Sequence, residues 1–282
     1  MEINEQLRVE IQRNVALALA EDVGTGDLTA RLIPAETSAR GRVITRESTI
    51  LCGSAWFEAT FRALDANSEI VWLAQDGDQL EPGQTICEIA ANARILLTAE
   101  RTALNFLQLL SATASLVRRY VDAVAGTKAC IVDTRKTLPG LRLAQKYAVG
   151  VGGGTNHRIG LYDGILIKEN HIIAAGGIAK AIRKAKKLAS TNVFIEVEVE
   201  TLDQLGEALD AGAKMILLDN MTHSEMAEAV AVTAGRAELE ASGGVELDDV
   251  RAIAELGVDR ISIGRLTKDI RAVDLSLRHV EA

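Results

Sequence analysis

Between Asp133 and His171 the chain reads Asp-Thr-Arg-Lys-Thr, then Gly-Gly-Gly-Thr-Asn-His-Arg, then Lys-Glu-Asn-His. Six cations (Arg135, Lys136, Arg142, Lys146, Arg158 and Lys168) stand there against three acids, in a chain whose net charge is −8. Cations and glycines gathered in an otherwise acidic protein point to a local site for small anions. The guanidinium fork of Arg matches a planar carboxylate through paired hydrogen bonds, which suits Arg135 and Arg158. Lys136 and Lys168 are point charges of the kind that meet phosphate. Glu198 and Asp219 would repel such ligands unless they hold Mg²⁺ or accept hydrogen bonds from sugar hydroxyls. Ser242-Gly243-Gly244 and Ile263-Gly264 offer bare backbone N–H groups at helix starts, a cradle for phosphate. The implied ligands are a phosphorylated sugar with Mg²⁺ and a small carboxylic acid. Of the four histidines, His157 beside Arg158 is the functional candidate, and His171, His223 and His279 read as structural. Gly152-Gly153-Gly154 reads as a flexible linker or as a loop lying close over a ligand.

The places of these residues along the chain argue for one mouth. From Lys128 onward, apolar runs at 129–132, 164–167, 193–199, 215–218, 237–240 and 260–263 alternate with helix-like segments such as 178–188, 202–210 and 247–255. This alternation predicts buried parallel strands joined by helices, and six such units in about 140 residues suit a barrel-like sheet. Arg135 and Lys136 follow the first strand and Lys168 the second. The third carries Glu196, Glu198 and Glu200 on one face by period-two alternation. Asp219 and Asn220 end the fourth, Ser242-Gly243-Gly244 the fifth, and Gly264 and Arg265 the sixth. Side chains at the carboxyl ends of parallel barrel strands converge on the mouth that carries the chemistry. Any one of them could cap a helix; as a set they cannot all be caps, because Arg and Lys are poor ones.

The first half follows a different pattern. Ile3, Leu7, Ile11, Val15 and Leu19 form one stripe of an amphipathic helix. Residues 41–45, 70–73 and 85–89 read as strands, with Glu81-Pro82-Gly83-Gln84 as a turn. Residues 98–125 return to helical spacing, with Ala103, Leu107, Leu110, Ala114, Val117, Val121 and Val124 on one side and Gly126 as the stop. The expectation is a mixed α+β layer. A hydrophobic share of 48% is ample for a core, and the lack of a long basic run speaks against nucleic acid. Cys52, Cys87 and Cys130 are too scattered for a disulfide framework or metal site and read as small buried hydrophobes. The chain start lacks signal-peptide character and no apolar run spans a bilayer, so a cytoplasmic protein is expected, with no membrane partner.

At these residues the chain resembles the quinolinate phosphoribosyltransferase family, also called the carboxylating nicotinate-nucleotide pyrophosphorylases. The pieces that carry the resemblance run nearly end to end: Glu21-Asp22-Val23-Gly24-Thr25-Gly26-Asp27-Leu28-Thr29, Glu100-Arg101-Thr102-Ala103-Leu104-Asn105, Asp133-Thr134-Arg135-Lys136-Thr137, Gly153-Gly154-Thr155-Asn156-His157-Arg158, Lys168-Glu169-Asn170-His171, Glu196-Val197-Glu198-Val199, Leu218-Asp219-Asn220, Ser242-Gly243-Gly244 and Ser262-Ile263-Gly264. One departure is Lys268, where relatives often carry His.

The resemblance implies an N-terminal α/β sandwich domain over 1–110, rejoined by a C-terminal tail at 270–282. It implies an incomplete, open parallel α/β barrel over 111–269. It further implies a homodimer or larger assembly with shared sites, in which Arg101 serves the neighbour's mouth. The implied reaction transfers phosphoribosyl from 5-phosphoribosyl 1-pyrophosphate to quinolinate with loss of CO₂, giving nicotinate mononucleotide and pyrophosphate in de novo NAD biosynthesis. Arg101, Arg135, Lys136, His157, Arg158 and Lys168 would bind the substrates, with Ser242, Gly243, Gly244 and Gly264 at the phosphate. Lys136, Lys168, Glu198 and Asp219 would carry catalysis, and Glu198 and Asp219 would hold Mg²⁺. The competing readings are a paralogue acting on another aromatic acid, a sugar-phosphate aldolase using Lys136 or Lys168 as a Schiff base, and a noncatalytic sugar-phosphate sensor.

Overall fold

A computed structural model describes residues 2–280; Met1 and the last two residues of the expected tail, 281 and 282, lie outside the described residues. The elements run α1 (Glu5–Asp22), β1 (Ser38–Thr45), β2 (Thr49–Ile50), α2 (Ser54–Leu64), β3 (Glu69–Trp72), β4 (Gln79–Leu80), β5 (Thr85–Asn92), α3 (Ala93–Ala123), β6 (Cys130–Val132), α4 (Arg142–Val151), β7 (Gly164–Ile167), α5 (Glu169–Ala175), α6 (Ile178–Leu188), β8 (Phe194–Val199), α7 (Leu202–Asp210), β9 (Met215–Asp219), α8 (His223–Thr233), β10 (Glu238–Ser242), α9 (Val250–Glu255), β11 (Arg260–Ser262), α10 (Arg265–Lys268) and β12 (Leu275–Val280). They form two compact units. No helix among the described residues is long and apolar enough to cross a membrane.

Among the described residues, the first unit comprises 2–118, 137–153 and 267–280. Its antiparallel sheet has the order β12-β1-β5-β3, so the last strand of the chain pairs with the first, Thr45 opposite Leu275 and Arg40 opposite Val280. Phe57 and Phe61 of α2 and Leu96, Leu104 and Leu107 of α3 pack with Val43, Ile86 and Ile89 in one buried cluster. Each such side chain contributes about 1.5–3 kcal/mol through burial. The predicted stripe of α1 buries Leu7, Ile11 and Val15 against Trp56, Phe106 and Tyr147. Asn14, on the same side, accepts from Trp56 Nε1 at 3.2 Å and donates to the Gly140 carbonyl at 3.1 Å, so its polar atoms are matched inside.

Helix α2 lacks a local start signal. Gly53 sits at φ 109° with no side chain to cap it. The carboxylate of Asp76 takes the N–H groups of Gly53 and Ser54 at 3.0 and 3.1 Å and the hydroxyl of Tyr147 at 2.9 Å. The glycine run after α4 is not a free linker. A Cβ on Gly152 would lie 2.6 Å from the Ala114 carbonyl, so only glycine lets α4 end there. Cys52 and Cys87 are buried as expected; Cys130, at the start of its strand, is only partly so.

The second unit comprises residues 119–136 and 154–266. Its six parallel strands have the order β6-β11-β10-β9-β8-β7. β6 and β7 are thus the two edges, and no strand pairing joins them. Part of that gap is filled by the segment after Gly154: Thr155 bridges Val132, donates to Ile131 O at 2.8 Å, and accepts from Asp133 N at 3.2 Å. The register sets two faces. Leu166 pairs with Glu196, Glu198 with Leu217, Leu217 with Glu240 and Asp219 with Ser242, so these residues share one face of the sheet. Val197, Val199, Ile216, Leu218, Leu239, Ala241 and Ile261 alternate with them and are all buried. Both faces are covered, which explains why each strand read as an apolar run.

Candidate active site

The polar face of the second unit collects the predicted residues. Lys168, directly after β7, is on the same face as Glu198, and its Nζ lies 2.5 Å from Glu198 Oε2. Asp219 ends β9 one step further along that face. Asn220 follows at φ 54°, a left-handed backbone that Asn tolerates better than most residues. Its side-chain amide donates to Asp219 Oδ2 at 2.9 Å and its backbone N–H to Ser242 O at 2.9 Å. A Cβ on Gly243, itself at φ 108°, would fall 2.2 Å from Asn220 Oδ1. Gly243 is therefore fixed by the close approach of Asn220, which in turn holds Asp219.

Gly264 works in the same way beneath Lys136. A Cβ there would come within 2.9 Å of Lys136 Cδ, so the lysine stem lies directly on bare backbone. The expected phosphate cradle needs correction in one respect. Only Gly264 leads straight into a helix, and that helix, α10, is a single turn. After Ser242-Gly243-Gly244, helix α9 begins only at Val250. Exposed peptide groups at Gly243 and Gly244 remain, without a long helix dipole behind them.

Arg135 and Arg158 lie close enough to influence each other. Arg158 has its pKa lowered first by burial and next by Arg135, while Glu196 and Asp163 act in the opposite sense. Arg158 Nη1 donates to Gly164 O at 3.0 Å. Its neighbour His157 is held at both ring nitrogens: Nδ1 accepts from Arg158 N at 2.8 Å, and Nε2 lies 2.8 Å from Glu196 Oε2. The backbone N–H of His157 donates to Asp133 Oδ1 at 2.8 Å. The imidazole also meets the Phe194 ring edge-on at 5.2 Å.

Glu240 was missed by sequence reasoning, although a glutamate between Leu239 and Ala241 in a buried strand was a signal. It is buried with Glu196, and its Oε2 lies 3.9 Å from His157 Nε2. Burial first, and then the charge of Glu196, push its carboxyl up to about 7, against the pull of His157. His157, Glu196 and Glu240 have the ligand types of a metal centre. However, 2.8 Å between Nε2 and Oε2 is a hydrogen bond, shorter than the roughly 3.3 Å that separates two ligands of one tetrahedral zinc-sized ion.

The remaining predicted positions are separate from this cluster. Glu200 lies beyond β8, exposed, and donates its N–H to Gln204. His171 Nδ1 accepts from Lys168 N at 3.0 Å and so caps α5. His223 pairs with Asp249 on the surface, and His279 is exposed on β12. Arg101 is exposed on α3, in the first unit.

Comparison with known proteins agrees along the whole chain. The C-terminal domain of quinolinate phosphoribosyl transferase matches residues 113–278 and its N-terminal domain residues 27–111. A probable carboxylating nicotinate-nucleotide pyrophosphorylase of Bacillus subtilis is 43% identical over 257 residues, which cover 91% of this chain and 89% of that protein. The chloroplastic carboxylating enzyme of Arabidopsis thaliana is 39% identical, covering 95% and 82%. Among solved structures, the nicotinate-nucleotide pyrophosphorylase of Francisella tularensis superposes with a TM-score of 0.95 at 47% identity, over 99% of both chains. That of Ehrlichia chaffeensis gives 0.92 at 38% identity, over 99% and 100%. The chain belongs to the quinolinate phosphoribosyltransferase family.

Proposed function

We infer that this chain is the decarboxylating quinolinate phosphoribosyltransferase of de novo NAD biosynthesis, joining quinolinate to 5-phosphoribosyl 1-pyrophosphate. Within the site, the observation that carries this reading is the pairing of Arg135 with Arg158. Arg158, its charge disfavoured first by burial and then by Arg135, gains from a carboxylate placed beside it, and Arg135 offers a second fork of donors. Quinolinate presents two beside a ring nitrogen. Arg135 and Arg158, with Arg101 of the partner subunit, hold those carboxylates, and His157 and Lys168 complete the pocket. The ring nitrogen forms a bond to C1 of the ribose as the bond from C1 to pyrophosphate breaks. When the adjacent carboxylate departs as CO₂, the electron pair it leaves on the ring carbon is stabilised by the neighbouring cationic nitrogen, and a proton from water then bonds to that carbon.

Lys136 and Lys168 offset the charge of pyrophosphate, and Glu198 and Asp219 face the cationic ribose and its hydroxyls. The ribose phosphate rests on Ser242, Gly243, Gly244 and Gly264. Glu198 and Asp219 fit Mg²⁺ as hard, partly exposed oxygen donors that leave further positions to water and phosphate. Mg²⁺ held there would neutralise the leaving group. A cytoplasmic homodimer completes the reading, and exposed apolar residues such as Leu161 and Tyr162, 73% and 70% accessible, suit a covered surface. The test is incubation with quinolinate, 5-phosphoribosyl 1-pyrophosphate and Mg²⁺. One CO₂ and one pyrophosphate per nicotinate mononucleotide are expected; turnover of nicotinate with no use of quinolinate would refute the assignment.

A further inference from the structure

His157 lies beside the guanidinium pair, where a neutral imidazole would ordinarily be taken as a hydrogen-bond donor to substrate. Its hydrogen bonds argue otherwise. A backbone N–H can only donate, so the nitrogen that receives it, Nδ1, must present a lone pair to Arg158 N at 2.8 Å. The one ring proton is then on Nε2, directed at Glu196 Oε2 at 2.8 Å. Both nitrogens are committed within the chain. The imidazole is itself nine-tenths buried, with an 8% exposed side chain, and Glu196 is 0% exposed. Phe194 holds the ring from the side.

Glu240 backs this arrangement. Its Oε2 is 3.9 Å from Nε2, and its side chain is buried together with that of Glu196.

We propose that His157 is a positioning residue: Glu196, backed by Glu240, fixes its proton on Nε2, so that Nδ1 anchors the amide of Arg158 and aims that guanidinium at a substrate carboxylate, while His157 itself makes no hydrogen bond to substrate. This deepens the proposed function and rests on its assignment of Arg158 to a quinolinate carboxylate. The contribution of Glu196 and Glu240 is then to the geometry of the carboxylate clamp, from below it.

Isosteres separate the two roles. Asn at position 157 places an oxygen acceptor where Nδ1 stood, whereas Gln places a donor where Nε2 stood. Quinolinate affinity, measured by calorimetry, is expected to fall about tenfold or more in His157→Ala and His157→Gln and to recover most of that loss in His157→Asn. In an Arg158→Ala background the His157→Ala effect should shrink to about twofold or less, because His157 acts through Arg158. Recovery with Gln and not with Asn, or additive losses, would overturn the proposal.

A second measurement needs no stable variant. In ¹⁵N-histidine-labelled wild-type protein, long-range ¹H–¹⁵N spectra should show His157 with its proton on Nε2, unchanged when quinolinate is added. A proton on Nδ1, or a proton that moves on adding quinolinate, would refute the proposal. Failure of the wild type to bind quinolinate at all would instead count against the functional reading, and the spectrum of the free protein would still decide the state of His157.

Discussion

The ammonium of Lys168 sits 2.5 Å from a carboxylate oxygen of Glu198, across the ends of two paired strands. The two charges neutralise each other; on the proposed function, an anion that drew Lys168 away would free Glu198 for Mg²⁺ or ribose hydroxyls. Binding of the anionic and the cationic or hydroxylic groups would thereby be linked. Lys168→Met and Glu198→Gln should each lower turnover strongly. The double variant should lose much less than the product of the two, because each single change leaves the other charge unopposed. The lysine is 48% exposed, so the pair contributes at most about 1 kcal/mol to stability and the melting temperature should move little. Strictly multiplicative losses in turnover would show that the two act independently.

Arg135→Ala should weaken quinolinate binding far more than binding of 5-phosphoribosyl 1-pyrophosphate. Loss of one partner from a desolvated charge pair costs about 2–5 kcal/mol, and Arg135 is partly buried beside Arg158. Calorimetry on each ligand checks this; equal losses would remove Arg135 from the carboxylate clamp.

Glu240 should make stability fall as pH rises. Its carboxyl keeps a proton up to about pH 7 in the folded chain, against an ordinary value of 4.5. The folded state therefore binds more protons between these values; the contribution is fully present below the lower one and gone above the higher. The span corresponds to roughly 3 kcal/mol. Glu240→Gln cannot lose that proton, so the variant should gain on wild type from pH 4.5 to 7.5 in denaturant titrations. A difference that is flat with pH would mean that Glu240 is ionised throughout.

Arg101 should act in a neighbouring subunit. It is exposed on α3, two residues from buried Ala103, as its helical position required. Arg101→Ala and Arg135→Ala should each be nearly inactive. After proven subunit exchange, mixed dimers combine both lesions in one mouth and leave the other intact, so activity should partly return. No recovery, or near wild-type activity of Arg101→Ala alone, would confine each site to one chain.

The second unit was legible because parallel strands covered on both faces become apolar runs, and each run then ends in the polar residues now seen on one face. Glu198 could be placed from the period-two alternation of its strand, and Lys168 and Asp219 from their positions at strand ends. What escaped was set by partners distant in sequence. Helix α2 is capped by Asp76 rather than by a neighbour of Gly53. Glu240 finds Glu196 and His157 only once the sheet is formed. Strand β12 pairs with β1 of the first unit; only the return of the C-terminal tail to that domain was implied, by family resemblance, and no local pattern gave the pairing itself.

The most direct test of the reaction places ¹³C in one carboxylate of quinolinate at a time. Label beside the ring nitrogen should appear as ¹³CO₂, one per nicotinate mononucleotide formed, and only when 5-phosphoribosyl 1-pyrophosphate is present. Label in the other carboxylate should remain wholly in the product. Release from the distal carboxylate, or CO₂ formed without phosphoribosyl transfer, would contradict decarboxylation driven by the alkylated ring nitrogen.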